Sequence, residues 1–150
     1  LGYCKVYSFL SLTEEVLGES KSGTVTTKEN RYEEGLKVQY EIFGQENIDS
    51  SREKEEEETK FIWDYLASYC FGDFYTRKYL TIKERELITF VTLASYGDVA
   101  PQLASHIGAN LKVGNSQELL IEVVKNLVPY LGFPRSLNTL NAIKKASMGS

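Results

Sequence analysis

Between Thr81 and Ala146 apolar residues recur every three or four positions, and glycines and prolines cut the run into pieces. Side chains at that spacing share one face of an α-helix, so this stretch is expected to fold as helices that each bury a stripe. Thr81 and Glu84 have capping-box spacing, in which each side chain satisfies a free amide of the first turn. Leu87, Ile88, Val91 and Ala94 follow as an apolar stripe, Phe90 widens it, and Gly97 ends it. Pro101 opens the next helix, where its missing N–H would be unpaired anyway. That helix carries Leu103, His106, Ile107 and Leu111 and stops at Gly114. Asn115 and Glu118 open another with Leu119, Leu120, Val123, Val124 and Leu127, closed by Gly132. Pro134 opens the last, with Leu137, Leu140 and Ile143.

Upstream the same period continues with more polar interruptions. Residues 31–43 place Tyr32, Leu36, Tyr40 and Phe43 on one face, with Gly44 as the C-terminal cap. Residues 47–51 read as a polar break. Residues 52–60 are dense in Glu, which suits a solvated first turn at a helix N-terminus better than a metal or partner site. The helix then runs through Phe61, Ile62, Tyr65, Leu66 and Tyr69 until Gly72-Asp73 interrupts it. A short amphipathic helix is expected over residues 3–17, and residues 18–23 read as a flexible linker. This arm packs either on a partner subunit or on its own domain. No segment alternates with period two for long enough to make a strand, so the class is all-α. The organisation read is an arm and linker over 1–30, one domain over 31–146, and a tail over 147–150.

Composition narrows the partners. The chain has 150 residues, 42% hydrophobic and 25% charged, which suffices for one domain with a true core. A formal net charge of -4 argues against a nucleic-acid partner, because a phosphate backbone demands clustered cations. Lys144-Lys145 stands isolated, and Arg77-Lys78 sits among aromatics. No apolar run reaches the roughly 20 residues that span a bilayer. The chain starts at Leu1 rather than Met, as a fragment or processed product would, and 1–12 lacks the features of a secretory signal. A cytoplasmic location is therefore expected. Cys4 and Cys70 are too far apart for a metal or redox motif and read as two free thiols, Cys70 as a small buried hydrophobe. The 10 Tyr and 7 Phe are more aromatic surface than a small monomer easily hides, so a homo-oligomer is expected.

The central pair of helices, 81–96 and 101–113, is joined by a short connection and should pack antiparallel. Glu86 and His106 both lie within a few turns of that connection. A carboxylate beside an imidazole forms an acid/base pair, and His106 is the chain's one histidine. On the residues alone, a lone histidine on an apolar helix face is more often structural than catalytic, and a glutamate such as Glu86 is more often an exposed helix residue.

Four motifs in order resemble the γ-carboxymuconolactone decarboxylase family. Arg31-Tyr32-Glu33-Glu34-Gly35-Leu36 with Phe43-Gly44 resembles its N-terminal helix. Gly72-Asp73-Phe74-Tyr75-Thr76-Arg77, followed by Arg85-Glu86-Leu87-Ile88-Thr89, resembles its central signature. Gln102-Leu103-Ala104-Ser105-His106-Ile107 with Gly114 resembles its histidine helix, and Tyr130, Gly132 and Pro134 match its closing Tyr-x-Gly-x-Pro pattern. The resemblance covers residues 31–146. It implies a helical bundle of the alkyl hydroperoxidase D-like type, built around a central antiparallel helix hairpin and assembled as trimers or hexamers.

The resemblance also offers two chemistries. The thiol branch, with peroxidase or disulfide reductase activity, uses Cys-x-x-Cys-x-x-x-His. Counting back from His106, the cysteine positions hold Val99 and Gln102, and neither can form a thiolate. The decarboxylase branch needs no cysteine, metal or cofactor. It needs a cation to hold a carboxylate and an acid/base to protonate the carbanion left when CO2 departs. The resemblance implies His106 as that acid/base, Glu86 as its relay or orienting partner, and Arg77, Arg85 and Tyr130 as substrate-binding positions. The substrate it implies is a small carboxylated lactone or related acid. Residues 97–101 and 108–114 depart from the family's usual loop and small-residue stretch, which bears on the substrate more than on the fold. A non-catalytic oligomeric binding protein on the same fold is the remaining reading.

Overall fold

The Thr81–Glu84 capping box forms as read: the Glu84 N–H donates to Thr81 Oγ1 at 3.3 Å, and the Thr81 N–H donates back to Glu84 Oε2 at 2.8 Å. The helix it opens, Ile82–Tyr96, closes at Gly97 with φ of 88°, a left-handed backbone that favours glycine. A computed structural model describes residues 23–148, and the expected helix over 3–17 lies outside them. Within the described residues the structure is all helical, with no strand. In chain order the helices are α1 (Arg31–Phe43), α2 (Gln45–Glu53), α3 (Phe61–Tyr65), a π-helix (Leu66–Tyr75), α4 (Ile82–Tyr96), α5 (Ala100–Lys112), α6 (Gln117–Leu131) and α7 (Phe133–Met148). No helix among the described residues is long and apolar enough to cross a membrane.

Two apolar clusters share α5. One joins Phe90 and Ala94 of α4, Leu103 and Ile107 of α5, Leu120 and Val124 of α6, and Ile143 of α7. The other joins Ile42 of α1, Phe71 and Tyr75 of the π-helix, and Ala109 of α5. Leu103 and Ile107, four apart, face the first cluster, while His106 and Ala109 lie round the helix toward the second. Helices α4 and α5 are antiparallel neighbours, as their cross-links show: Glu86 bonds His106 and Asn110, while Lys83, nearer the start of α4, bonds Asn115 beyond the end of α5.

Several expectations change at the level of individual faces. The most deeply buried residues of α1 are Gly35, Gln39 and Ile42, not the aromatic stripe, because α1 packs edge-on against the π-helix. In α4 the buried line is Glu86, Phe90 and Ala94, and Ile88 is 53% exposed. Residues 47–51 are helical, not a break, since α2 runs through them and anchors on the buried Ile48. The Glu-rich run forms no first turn. Arg52 and Glu53 end α2, and residues 54–60 are a non-helical link in which Glu55 accepts from the Trp63 indole N–H at 2.9 Å. Asn115 is buried, and Ser116 caps α6 instead, accepting from the Leu119 N–H.

Gly72-Asp73 does not interrupt the helix. The chain passes through it as a π-helix, and Gly72 serves a close helix–helix approach instead. A Cβ on Gly72 would overlap the Arg31 carbonyl oxygen, and one on Gly35 would overlap the Ala67 carbonyl oxygen. Only backbone fits between α1 and the π-helix there, so the glycines set their separation. Asp73 then pairs with Arg31 at 3.2 Å across the same crossing. Because the obstacle is main chain and cannot rotate away, Gly35→Ala is expected to destabilise the fold by about 3 kcal/mol. It should read as a lowered denaturation midpoint at unchanged m-value, and an unchanged midpoint would show that the crossing is not tight.

Candidate functional site

At the junction of the two clusters lies a carboxylate wholly removed from solvent. Glu86 is 0% exposed and lies on the buried face of α4, which Phe90 and Ala94 continue one and two turns further on. Burying such a group is costly unless its oxygens are satisfied. Each oxygen has a partner: Oε1 accepts from the Tyr75 hydroxyl at 2.9 Å, and Oε2 lies 2.7 Å from His106 Nδ1. The Tyr75 oxygen also lies 2.7 Å from Thr89 Oγ1, one turn along α4. Asn110 staples the backbones together, its Nδ2 donating to the Glu86 carbonyl at 2.9 Å and the His106 carbonyl at 2.7 Å. Asn115 in turn donates to Asn110 Oδ1 at 2.8 Å and to the Lys83 carbonyl at 2.9 Å.

This network gives His106 a fixed orientation. With Nδ1 engaged by Glu86, Nε2 is the nitrogen left for chemistry. The ring is further held by Phe43, edge-on at 5.3 Å between centroids. His106 is 17% exposed, and it lines a cleft of about 790 Å3 between α1, α2, the π-helix and α5. That volume suits a small organic molecule. The walls mix apolar groups (Ile42, Phe43, Phe71) with the polar Gln39, Lys54 and Lys112. An imidazole backed by a buried carboxylate can deliver or remove a proton at a ligand bound there.

Cys70 also lines the cleft. It is half-buried rather than fully buried, and it is a free thiol. Burial, and then the negative charge of Glu86, push its thiol above the usual range, so it favours the neutral form rather than a thiolate nucleophile. Burial and the same charge push the Tyr75 phenol strongly upward, which keeps it a hydrogen-bond donor to Glu86. The positions equivalent to the thiol-branch cysteines fall at the start of α5. Val99 precedes the helix, and Gln102 reaches the cleft.

Of the residues singled out from the sequence, the structure brings Glu86 and His106 into direct contact. It does not bring Arg77, Arg85 or Tyr130 to the cleft within one chain. Arg77 folds back on the end of its own π-helix, donating to the Asp73 carbonyl at 3.2 Å and stacking on Phe74 at 4.4 Å. Arg85 donates to the Leu80 and Arg77 carbonyls, tying down the 76–81 connection. Tyr130 is 84% exposed near the end of α6. The cations at the cleft are instead Lys54 and Lys112. Sequence reading missed Tyr75, Asn110 and Gln39. Asn110 carried a signal, four residues after His106 and so on its face of the helix; Tyr75 stood inside the central motif with no role read from it, and Gln39 carried no signal. Removing the Tyr75 hydroxyl leaves a buried acceptor unmet, so Tyr75→Phe is expected to cost about 1–3 kcal/mol of stability in denaturant titration. A neutral result would mean that Glu86 does not depend on that donor.

Comparison with known proteins places the chain in a family. Residues 63–145, which span α3 to α7 and hold Glu86 and His106, match the carboxymuconolactone decarboxylase family. A 4-carboxymuconolactone decarboxylase of Acinetobacter baylyi (strain ATCC 33305 / BD413 / ADP1) is 26% identical over 108 residues, covering 72% of this chain and 80% of that protein. With more than half its length matched and the family's all-helical architecture in place, this chain belongs to the carboxymuconolactone decarboxylase family.

Proposed function

We propose that the chain is a carboxy-lyase acting on a small carboxylated lactone or related acid, with His106 as its proton-handling residue. The observation that carries this reading is the Glu86–His106 pair, engaged at Nδ1 on its buried side and bordering a ligand-sized cleft on the other. The 4-carboxymuconolactone decarboxylase activity named for the Acinetobacter relative supports the substrate class.

The chemistry asked of the site is modest. The C–C bond to the carboxylate breaks, CO2 leaves, and the electron pair stays on the substrate carbon, delocalised toward the lactone carbonyl. His106 Nε2–H delivers a proton to that carbon, forming the C–H bond, and solvent reprotonates the ring. Glu86, holding Nδ1–H, stabilises the charged ring and keeps Nε2 in one place, while Tyr75 holds Glu86. Lys54 and Lys112, at the cleft and without an ion-pair partner among the described residues, supply positive charge for the substrate's carboxylates. General acid catalysis of this kind contributes about 10²–10⁴-fold. Spectrophotometric turnover of γ-carboxymuconolactone should therefore fall by at least about 100-fold in His106→Ala. A wild-type protein that turns over no member of a panel of carboxylated lactones overturns the reading.

A homo-oligomer is proposed on a separate observation. Phe61, Tyr65 and Tyr69 stack edge-to-face at 5.7 and 5.5 Å between centroids, and all three are about half exposed: 54%, 53% and 45%. Ile62, Phe74 and Tyr79 add to the exposed apolar surface. Patches of this kind on a small protein mark interfaces. Light scattering at micromolar concentration is expected to give the mass of a trimer or hexamer, and a monomer mass removes the proposal.

A further inference from the structure

The cleft beside His106 contains a polar atom that the fold itself leaves unsatisfied. Gln39 is 1% exposed, and its Oε1 is buried with no hydrogen-bond partner. Nearly all buried polar side-chain atoms in proteins are paired, because an unmet acceptor costs about 1–3 kcal/mol. Position 39 lies on the buried side of α1 between Gly35 and Ile42, where a leucine would pack without that cost. Gln39 lines the cleft, so the missing partner can arrive from inside it. Residue 39 lies on α1, which walls the cleft together with α2 and the π-helix.

The surroundings narrow what the partner is. Gln39 Oε1 is an acceptor and calls for an O–H or N–H donor. The neighbouring walls include Ile42, Phe43 and Phe71, which suit a flat unsaturated ring. At the cleft edge, Lys112 Nζ lies over Gly44, 3.8 Å from where a Cβ would stand. Lys112 has no ion pair among the described residues, and the same holds for Lys54. We propose that Gln39 is a specificity-determining residue that accepts a hydrogen bond from a hydroxyl group on a small, unsaturated or aromatic carboxylate bound in this cleft, with the lysines at its edge holding the carboxylate. The proposal rests on reading the His106 cleft as the substrate site. It narrows the substrate of that reading from a carboxylated lactone, which in its dianionic form has no donor, to a related acid that carries one.

Binding of 3-hydroxybenzoate, 4-hydroxybenzoate and benzoate, measured by calorimetry on the full chain, tests it without calling on catalysis. At least one hydroxybenzoate is expected to bind the wild type about fivefold or more tightly than benzoate, the gain of one buried hydrogen bond. In Gln39→Leu, and in Gln39→Met should the branched side chain not fold, that preference disappears while benzoate affinity changes less than about twofold. The unliganded variants should melt at or above the wild-type temperature, because an unmet buried acceptor has been removed. The proposal is overturned if none of the three acids binds, if the wild type binds all three equally, or if the preference survives in both variants. Variants that melt lower and keep the preference also overturn it, since Gln39 would then be a structural residue satisfied by buried water. These outcomes are distinguishable from failure of the lyase reading, which is decided by turnover of carboxylated lactones.

Discussion

Glu86 is the group on which the rest of the molecule is organised. A carboxylate at 0% exposure is tolerable only if both oxygens are met. Its partners come from two different elements, Tyr75 at the end of the π-helix and His106 in the middle of α5. Satisfying Glu86 therefore requires the π-helix and the α4–α5 hairpin to dock in one register. Asn110 and Asn115 add the same demand at the backbone level, since their amides reach across to α4 carbonyls. A one-turn slip of α5 along α4 would strand a buried charge, which typically costs 3–5 kcal/mol. The interaction that fixes the register is also the one that leaves His106 facing the cleft with a single free nitrogen.

Placement of the π-helix follows from a second constraint, the backbone-to-backbone contact at Gly35 and Gly72. That contact lets α1 approach close enough for Gln39, Ile42 and Phe43 to form one wall of the cleft, while Cys70, Phe71 and Tyr75 form another. A π-helix of ten residues is uncommon, and such segments occur often at functional sites. Its wider turn carries the chain past Gly72 and still delivers the Tyr75 hydroxyl to Glu86.

The proposed proton transfer draws on Glu86 and His106 and on no thiol. Val99 and Gln102 stand where the thiol branch has its cysteines, and Cys70, though it borders the cleft, is held in its neutral form by burial and by the charge of Glu86. The family match and the Acinetobacter relative agree on the carboxymuconolactone decarboxylase family.

Helix number, starts and stops were largely legible in the chain, because capping boxes, N-terminal prolines and left-handed glycines are local chemistry that acts within one turn. Thr81, Pro101, Gly97 and Gly132 all mark helix ends in the structure. The pairing of Glu86 with His106 was legible too, since a short connection forces two helices antiparallel. What failed was the reading of single faces and of interruptions. Gly72-Asp73 looked like a break because glycine is a poor helix former, yet its missing side chain was spent on a contact 41 positions away with Arg31. Arg77 and Arg85 looked like ligands for a substrate carboxylate, yet nearby carbonyls of the 73–80 stretch claim both. Tyr75 sat inside the central motif with no role read from it, and Gln39 carried no signal. By itself the sequence determined most of the helices, the hairpin and the meeting of Glu86 with His106, all products of local spacing. Only the tertiary structure decided which residues wall the cleft and which buried polar atom is left wanting a partner, because those depend on helices far apart in the chain meeting at one place.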